Sequence, residues 1–216
     1  LADLLTLALF FAERDPRKLA MPRSIQAELY HGHAIESEDT SSLRIVTREG
    51  VEVLMNASLC TKTLMPATLE IITAHGVITY LPPDRAVISR DGEDSFEWKA
   101  GQDATEQMFI RLAKSRERKS PYDIDLDFCR SFTLSVNGAF TSAGAITDID
   151  PSCLTIGSIE GQPYPVIHGI DAQLQRAHRE ARTLSEIGVP WARPGLTISM
   201  DGYNQFNEFP SHSIKD

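Results

Sequence analysis

The sequence predicts an α+β fold: an open, mainly antiparallel β-sheet of about six to eight strands with helices packed on one face. Three observations predict it. Short stretches with strand-like alternation follow one another at hairpin spacing, separated by Gly, Pro and Asp. Helical periodicity comes before and after that series rather than between its members. The glycines around Gly138 and Gly144 fall within and after a helical pattern with no strand ahead of them, so they do not read as a dinucleotide fingerprint.

The elements follow in order. Residues 1–13 form an apolar helix ended by Asp15-Pro16. No polar residue leads into its first turn, so the chain is expected to be the back portion of something longer, entered in mid-element. Residues 24–31 alternate, with Ile25, Ala27 and Leu29 on one side and Gln26, Glu28 and Tyr30 on the other, which predicts a half-buried strand. Residues 43–48 and 51–59 are two more strands joined by a Glu49-Gly50 hairpin turn, and Val51, Val53 and Met55 share a face. Residues 68–74, 77–81, 85–89 and 96–99 continue the series, with turns at Gly76, Pro82-Pro83-Asp84 and Asp91-Gly92.

The period then changes. Residues 104–116 carry Met108, Phe109, Leu112 and Ala113 at helical spacing. Residues 125–143 form a longer helix with Phe128, Phe132, Leu134 or Ser135, and Ala139 along one side. Asp123 and Asp125 suit its start and Gly144 its end. Residues 152–159 read as a short strand. Residues 170–187 read as a third helix with Leu174, Ala177, Ala181 and Leu184 in register, broken by Gly188-Val189-Pro190. Beyond it the chain is extended and needs a surface or a partner to be ordered. The expected organisation is one α+β domain over residues 1–190 and an extended tail over residues 191–216.

Composition narrows the function. A net charge of −9 argues against nucleic-acid binding. The basic run at residues 114–119 sits at the end of a predicted helix, where cations offset the helix dipole. No apolar run approaches the roughly 20 residues of a membrane span, and the opening lacks the basic start of a signal peptide. Cys60, Cys129 and Cys153 are scattered and odd in number, which suits neither a disulfide framework nor a zinc site, so a cytoplasmic chain with reduced thiols is expected. An open sheet face carrying apolar side chains needs a cover, and a homo-oligomer is the expected one.

Three segments carry a resemblance: ADLLTLALFFA with the following IQAELYHGHAIESEDTSSLRI; CRSFTLSVNGAFTSAG with AITDID; and VIHGIDAQLQRAHREARTLSEIGVPWA through DGYNQF. In this order and spacing they resemble the C-terminal domain of the glucose–fructose oxidoreductase / inositol dehydrogenase (Gfo/Idh/MocA) family, of the dihydrodipicolinate-reductase-like C-terminal type. The resemblance implies an open antiparallel sheet with helices that shapes a substrate site and pairs face to face in oligomers. It also implies hydride transfer between a nicotinamide and a sugar-like or polyol carbon. The nucleotide-binding half and its catalytic lysine are not found in these residues. No cofactor is therefore expected on this chain alone, and NAD or NADP is expected if that half is present.

The resemblance also places candidate residues. Asp3 stands where the family often has an acid/base histidine, and a carboxylate is the weaker base at neutral pH. As a residue in its own right, Asp3 equally suits the first turn of a helix. Leu59 stands where a polar pocket residue is frequent, and Phe140 and Thr141 where a His-Glu pair is. These replacements imply a different substrate or a lost chemistry. Lys62, flanked by Thr61 and Thr63 after a strand, is a candidate to point into a pocket, against the default of an exposed lysine. Asn137 lies among poor helix formers and is a candidate substrate contact. Asp3, Lys62, Asn137 and Thr141 are thus the candidate site residues.

His31, His33, Glu36, Glu38 and Asp39 form a cluster of metal-ligating types, but they fall at a strand end and loop where solvated charge is common, and no metal is expected. Cys129 on an apolar helix face reads as packing. Trp191 and Tyr203 read as anchors of the tail ahead of a sugar-stacking platform. The favoured function is the substrate-binding and oligomerisation portion of an NAD(P)-dependent oxidoreductase acting on a sugar-like or polyol substrate. The alternative is a non-catalytic binding or scaffold module of the same fold.

Overall fold

The structure is a computed structural model and describes residues 2–118 and 124–206. Asp123 as a helix-start residue, Lys119 of the basic run and the tail beyond Phe206 lie outside the described residues. Along the chain run α1 (Ala2–Phe11), β1 (Pro22–His31), β2 (Thr40–Thr47), β3 (Glu52–Ser58), β4 (Leu69–Thr73), β5 (Gly76–Leu81), β6 (Arg85–Arg90) and β7 (Phe96–Lys99). Then come α2 (Ala104–Arg118), α3 (Leu126–Ala143), β8 (Thr147–Asp148), a 3-10 turn (Pro151–Cys153), β9 (Leu154–Ile159), β10 (Gln162–Ile167), α4 (Ile170–Glu180) and β11 (Ile198–Ser199). The class is α+β with open, mostly antiparallel sheets. Among the described residues no helix is long and apolar enough to cross a membrane.

The strands are shared among three sheets instead of gathered in one. β11-β1-β2-β3 form the first, with β8 pairing β1 in parallel. β4-β5-β6-β7 form a meander, and β9-β10 a hairpin. The break between β3 and β4 has a local cause. The backbone N–H groups of Lys62 and Thr63 donate to the Asp171 carboxylate at 2.9 and 3.1 Å, not to a neighbouring strand. Pro66, which has no N–H, follows.

Two compact units result, Leu1–Leu19 with Pro66–Arg130 and Ala20–Met65 with Ser131–Asp216. The first holds α1, the four-stranded meander and α2. Asp125 caps the start of α3 by accepting the Phe128 N–H at 2.8 Å. The second holds the five-stranded sheet, most of α3, the β9-β10 hairpin, α4 and β11. One edge of its β1 meets β11 at Ser24 and Ile25 and β8 at Tyr30 and His31.

Four local expectations are corrected. First, β1 is covered on both sides from Ala27 onward. Glu28 and Tyr30, on the side the alternation leaves open, are each 1% exposed. Their polar atoms are satisfied inside. Glu28 accepts from the Tyr30 hydroxyl at 3.0 Å and from the Ser185 N–H and hydroxyl at 3.1 and 2.5 Å.

Second, the helix expected over residues 170–187 stops at Glu180. Ala181 turns left-handed, and the Thr183 N–H is taken by the Glu186 carboxylate at 2.9 Å. That break lets Ser185 reach Glu28. Third, the buried stripe of α3 is Ser131, Ser135, Gly138, Ala139 and Ser142, not its phenylalanines, and Cys129 is exposed. Small side chains let the α3 backbone approach the sheet: a Cβ on Gly138 would lie 2.5 Å from Ile25 Cδ1.

Fourth, the strand expected over residues 152–159 begins at Leu154, after the 3-10 turn. It pairs with β10, which the sequence hides behind Pro163 and Pro165. Proline is tolerated there because β10 is an edge strand, and a left-handed Glu160-Gly161 turn joins the pair.

Candidate functional site

The second unit brings β1, α3 and the tail into one place. The buried Ser142 hydroxyl accepts the Ala27 N–H at 2.8 Å and donates to the Leu196 carbonyl at 2.6 Å. Gly195 sits where a Cβ would lie 2.0 Å from the Ala27 oxygen, a closeness only glycine permits. Trp191 packs edge-on against Tyr30 with ring centroids 4.9 Å apart, and the Tyr30 hydroxyl accepts the Arg193 N–H at 2.8 Å.

Asn137 and Thr141 lie one turn apart on α3. The Thr141 hydroxyl donates to the Asn137 carbonyl at 3.0 Å and lies 2.8 Å from the Tyr203 hydroxyl, so it ties down the tail. Asp3 lies exposed in the first turn of α1, in the other unit.

Lys62 stands elsewhere in the second unit, on an open cavity of about 630 Å³. Tyr164, His168, Thr155 and Ser158 bring polar atoms to it, and Ile156, Val166 and Ala172 bring apolar surface. Neither Asn137 nor Thr141 lines it. Asp171, in the first turn of α4, fixes the cavity's edge by accepting from the Thr63 hydroxyl at 2.5 Å as well as from the two backbone N–H groups. Burial opposes its charge, yet these donors prevail and hold its carboxyl below the ordinary carboxylate value. Such a cavity can seat a small molecule against apolar surface, with Lys62 and His168 as donors.

A second constellation lies at the end of the five-stranded sheet where β1 stops, β2 starts and β3 stops. His31 Nε2 bonds Asp148. The carboxylate of Asp39 is fully buried, and its Oδ2 accepts the Gly32 and His33 N–H groups at 2.8 Å each. His33 Nδ1 approaches the same oxygen at 2.7 Å, while Cys60 Sγ lies 3.5 Å from that nitrogen. Burial works against the charged form of Asp39, but the His33 and Gly32 donors and the Thr40 hydroxyl hold its carboxyl below the usual value. Burial, and then the Asp39 charge, push the Cys60 thiol up to about 12.

Cys60 and Asp39 both meet the same ring nitrogen, so the three do not form a relay in which one nitrogen takes a proton and the other is oriented. The sequence pattern groups His33 with Asp39 but reads the group as solvated charge, which the buried Asp39 carboxylate corrects, and it misses Cys60. Glu36, read as part of the cluster, is exposed to solvent. Nothing local signals Cys60; it arrives only through β2-β3 pairing.

No protein-family model matches the sequence, and no curated protein matches it. Among solved structures, the UDP-N-acetylglucosamine 3-dehydrogenase GnnA from Acidithiobacillus ferrooxidans is similar over 56% of this chain and 40% of that one, at 13% identity and a TM-score of 0.48. The similar region thus spans less than half of that enzyme's length. The structure defines an α+β protein of open antiparallel sheets with two local centres, an open and mostly apolar cavity at Lys62 and a His-Asp-Cys cluster.

Proposed function

We propose that these residues form the substrate-binding and oligomerisation portion of an NAD(P)-dependent oxidoreductase acting on a sugar-like or polyol substrate. The observation that carries this reading is the meeting of β1, α3 and the tail at Ser142, because those three segments carry the family resemblance. NAD or NADP would be held by a nucleotide-binding half outside these residues, and Lys62 with its cavity supplies polar contacts to the substrate. The test is nicotinamide-dependent turnover of a panel of sugars, sugar nucleotides and cyclic polyols by the natural full-length polypeptide. Turnover with a KM raised about tenfold or more by Lys62→Met supports the reading. No turnover and no NAD(P)H binding by that polypeptide overturns it.

A second reading, a non-catalytic binding or scaffold module, is favoured by one observation. Thr141, which the resemblance puts where a His-Glu pair is frequent, is engaged in holding Tyr203.

The oligomer is proposed to form through the meander. Cross-strand pairing aligns Leu69, Tyr80, Ala86 and Trp98 in one row and Ile71, Ile78, Ile88 and Phe96 in the next. Alternation puts both rows on the same face. None of the eight is buried, and Phe96 and Trp98 are each 51% exposed. A second copy of the chain offers the matching apolar surface. Sedimentation of the wild type as a dimer and of Trp98→Glu as a folded monomer supports this; a monomeric wild type at micromolar concentration overturns it.

A further inference from the structure

We propose that His33 Nδ1, Asp39 Oδ2 and Cys60 Sγ form a binding site for one divalent cation of the zinc class, with solvent completing its coordination. The three donor atoms lie within 4.8 Å of one another. Antiparallel pairing puts the end of β1, the start of β2 and the end of β3 at one end of the sheet, and His33, Asp39 and Cys60 lie just outside those three points.

The backbones of Asp39 and Cys60 are held independently of any ion, and the His33 N–H is held by the Asp39 carboxylate. The Asp39 N–H donates to the Tyr30 carbonyl at 2.9 Å and the Leu59 N–H to the Asp39 carbonyl at 2.8 Å. The Cys60 N–H donates to Ser58 Oγ at 3.0 Å, and the Ile167 N–H to the Cys60 carbonyl at 3.0 Å. A cation would therefore meet donors whose main chain is already placed.

The spacing fits a tetrahedral ion after a small change. Zinc–sulfur and zinc–nitrogen bond lengths imply a sulfur–nitrogen separation of about 3.5 Å, the separation found between Cys60 and His33. The same geometry implies a nitrogen–oxygen separation of about 3.4 Å, so the 2.7 Å His33–Asp39 contact must open by about 0.7 Å, within reach of an imidazole rotation. Gly32 leaves the room: a Cβ there would stand 3.2 Å from the Cys60 sulfur. The His33 ring, 31% exposed, gives the route to solvent.

The donor set selects the cation. A thiolate with an imidazole and one carboxylate suits zinc and its neighbours, whereas magnesium and calcium take oxygen ligands. On binding, the Cys60 S–H bond breaks, its proton passes to solvent and a metal–sulfur bond forms. The imidazole proton leaves Nδ1, and Nε2 carries one instead. The buried Asp39 carboxylate, now facing a thiol and N–H donors, then faces a cation. This centre is separate from the Lys62 cavity, and its test does not depend on oxidoreductase activity.

The experiment adds cobalt(II) to chelator-treated protein and follows retained metal and the absorption spectrum after buffer exchange. A single cobalt ion per chain is expected, with thiolate-to-cobalt charge transfer in the near ultraviolet, four-coordinate visible bands, and displacement by zinc. Cys60→Ser removes the charge-transfer band, and His33→Gln removes metal retention, each with an unchanged far-ultraviolet circular dichroism spectrum. The double variant Glu36→Gln, Glu38→Gln retains the ion. No retained cobalt in the wild type overturns the proposal. So does a charge-transfer band that survives in Cys60→Ser, which would place the ion at another thiol. Loss of binding in the double variant would assign the ion to loop carboxylates and overturns it equally.

Discussion

The hydroxyl of Ser142 in α3 accepts the backbone N–H of Ala27 in β1 at 2.8 Å, at a point on the β1 edge between its pairings with β11 and β8. A side chain here takes the place of a strand. The same oxygen donates to Leu196, so one buried atom joins three segments far apart in sequence. Ser142→Ala leaves the buried Ala27 N–H without a partner, which costs about 1–3 kcal/mol. The urea midpoint falls accordingly while the slope of the transition stays the same.

Two glycines in this region separate movable from immovable neighbours. At Gly138 an added Cβ meets Ile25 Cδ1 at 2.5 Å and Met200 Sδ at 2.9 Å, both at or near the free ends of side chains that can swing. Overpacking of about 1–3 kcal/mol is partly offset by the helix propensity gained from Gly to Ala, about 1 kcal/mol. Gly138→Ala is therefore expected to destabilise by about 1 kcal/mol and to keep the fold. At Gly195 the same methyl meets the Ala27 and Ser142 carbonyl oxygens at 2.0 and 2.9 Å, which cannot move without breaking the sheet and α3. Gly195→Ala undocks the tail, and limited proteolysis after Trp191 accelerates well beyond that of Gly138→Ala.

The strands from β1 to β7 were legible because their signals are local. Val51, Val53 and Met55 alternate within a few residues, and Gly50 and Gly92 adopt the left-handed turns their positions suggest. The division into three sheets was not legible, because it depends on where unpaired N–H groups go. Those of Lys62 and Thr63 go to Asp171, far along the chain. The end of α4 was hidden by continuing apolar spacing at Leu184, which is buried outside the helix. Of the candidate site residues, Lys62 could be read as the exposed lysine it is, at the rim of an open cavity. The partnership of Cys60 with His33 could not, since no spacing rule links a loop to the end of a strand two ladders away.

Asp171 carries a pH prediction. Its carboxyl is held below the ordinary value of 3.8, despite burial, by the Thr63 hydroxyl and the Lys62 and Thr63 N–H groups. A depressed folded-state pKa makes its contribution to stability full above 3.8 and lost as pH falls through the lower folded value. Carbon-detected NMR titration should give a midpoint below 3.8, and Thr63→Ala should move it back toward 3.8. The variant should also lose about 1 kcal/mol at neutral pH, where the hydroxyl bond is missing. A midpoint unmoved by Thr63→Ala would show that the two N–H groups suffice.

The thiols divide by environment. Cys60 is 0% exposed and its thiol is pushed up to about 12, first by burial and then by the charge of Asp39. A thiol reagent needs both access and a thiolate, and Cys60 offers neither in the folded chain. Cys129 is exposed on α3. In metal-free native protein, Ellman's reagent should label Cys129 rapidly and leave Cys60 untouched, and mildly alkaline buffer should not change that order. Cys129→Ser should abolish the fast phase and leave only the slower labelling of the half-buried Cys153. Cys60→Ser should leave the native trace unchanged and lower only the total seen in denaturant. Rapid native labelling that disappears in Cys60→Ser would show that the end of β3 opens to solvent, and the buried hub around Asp39 would then be open as well.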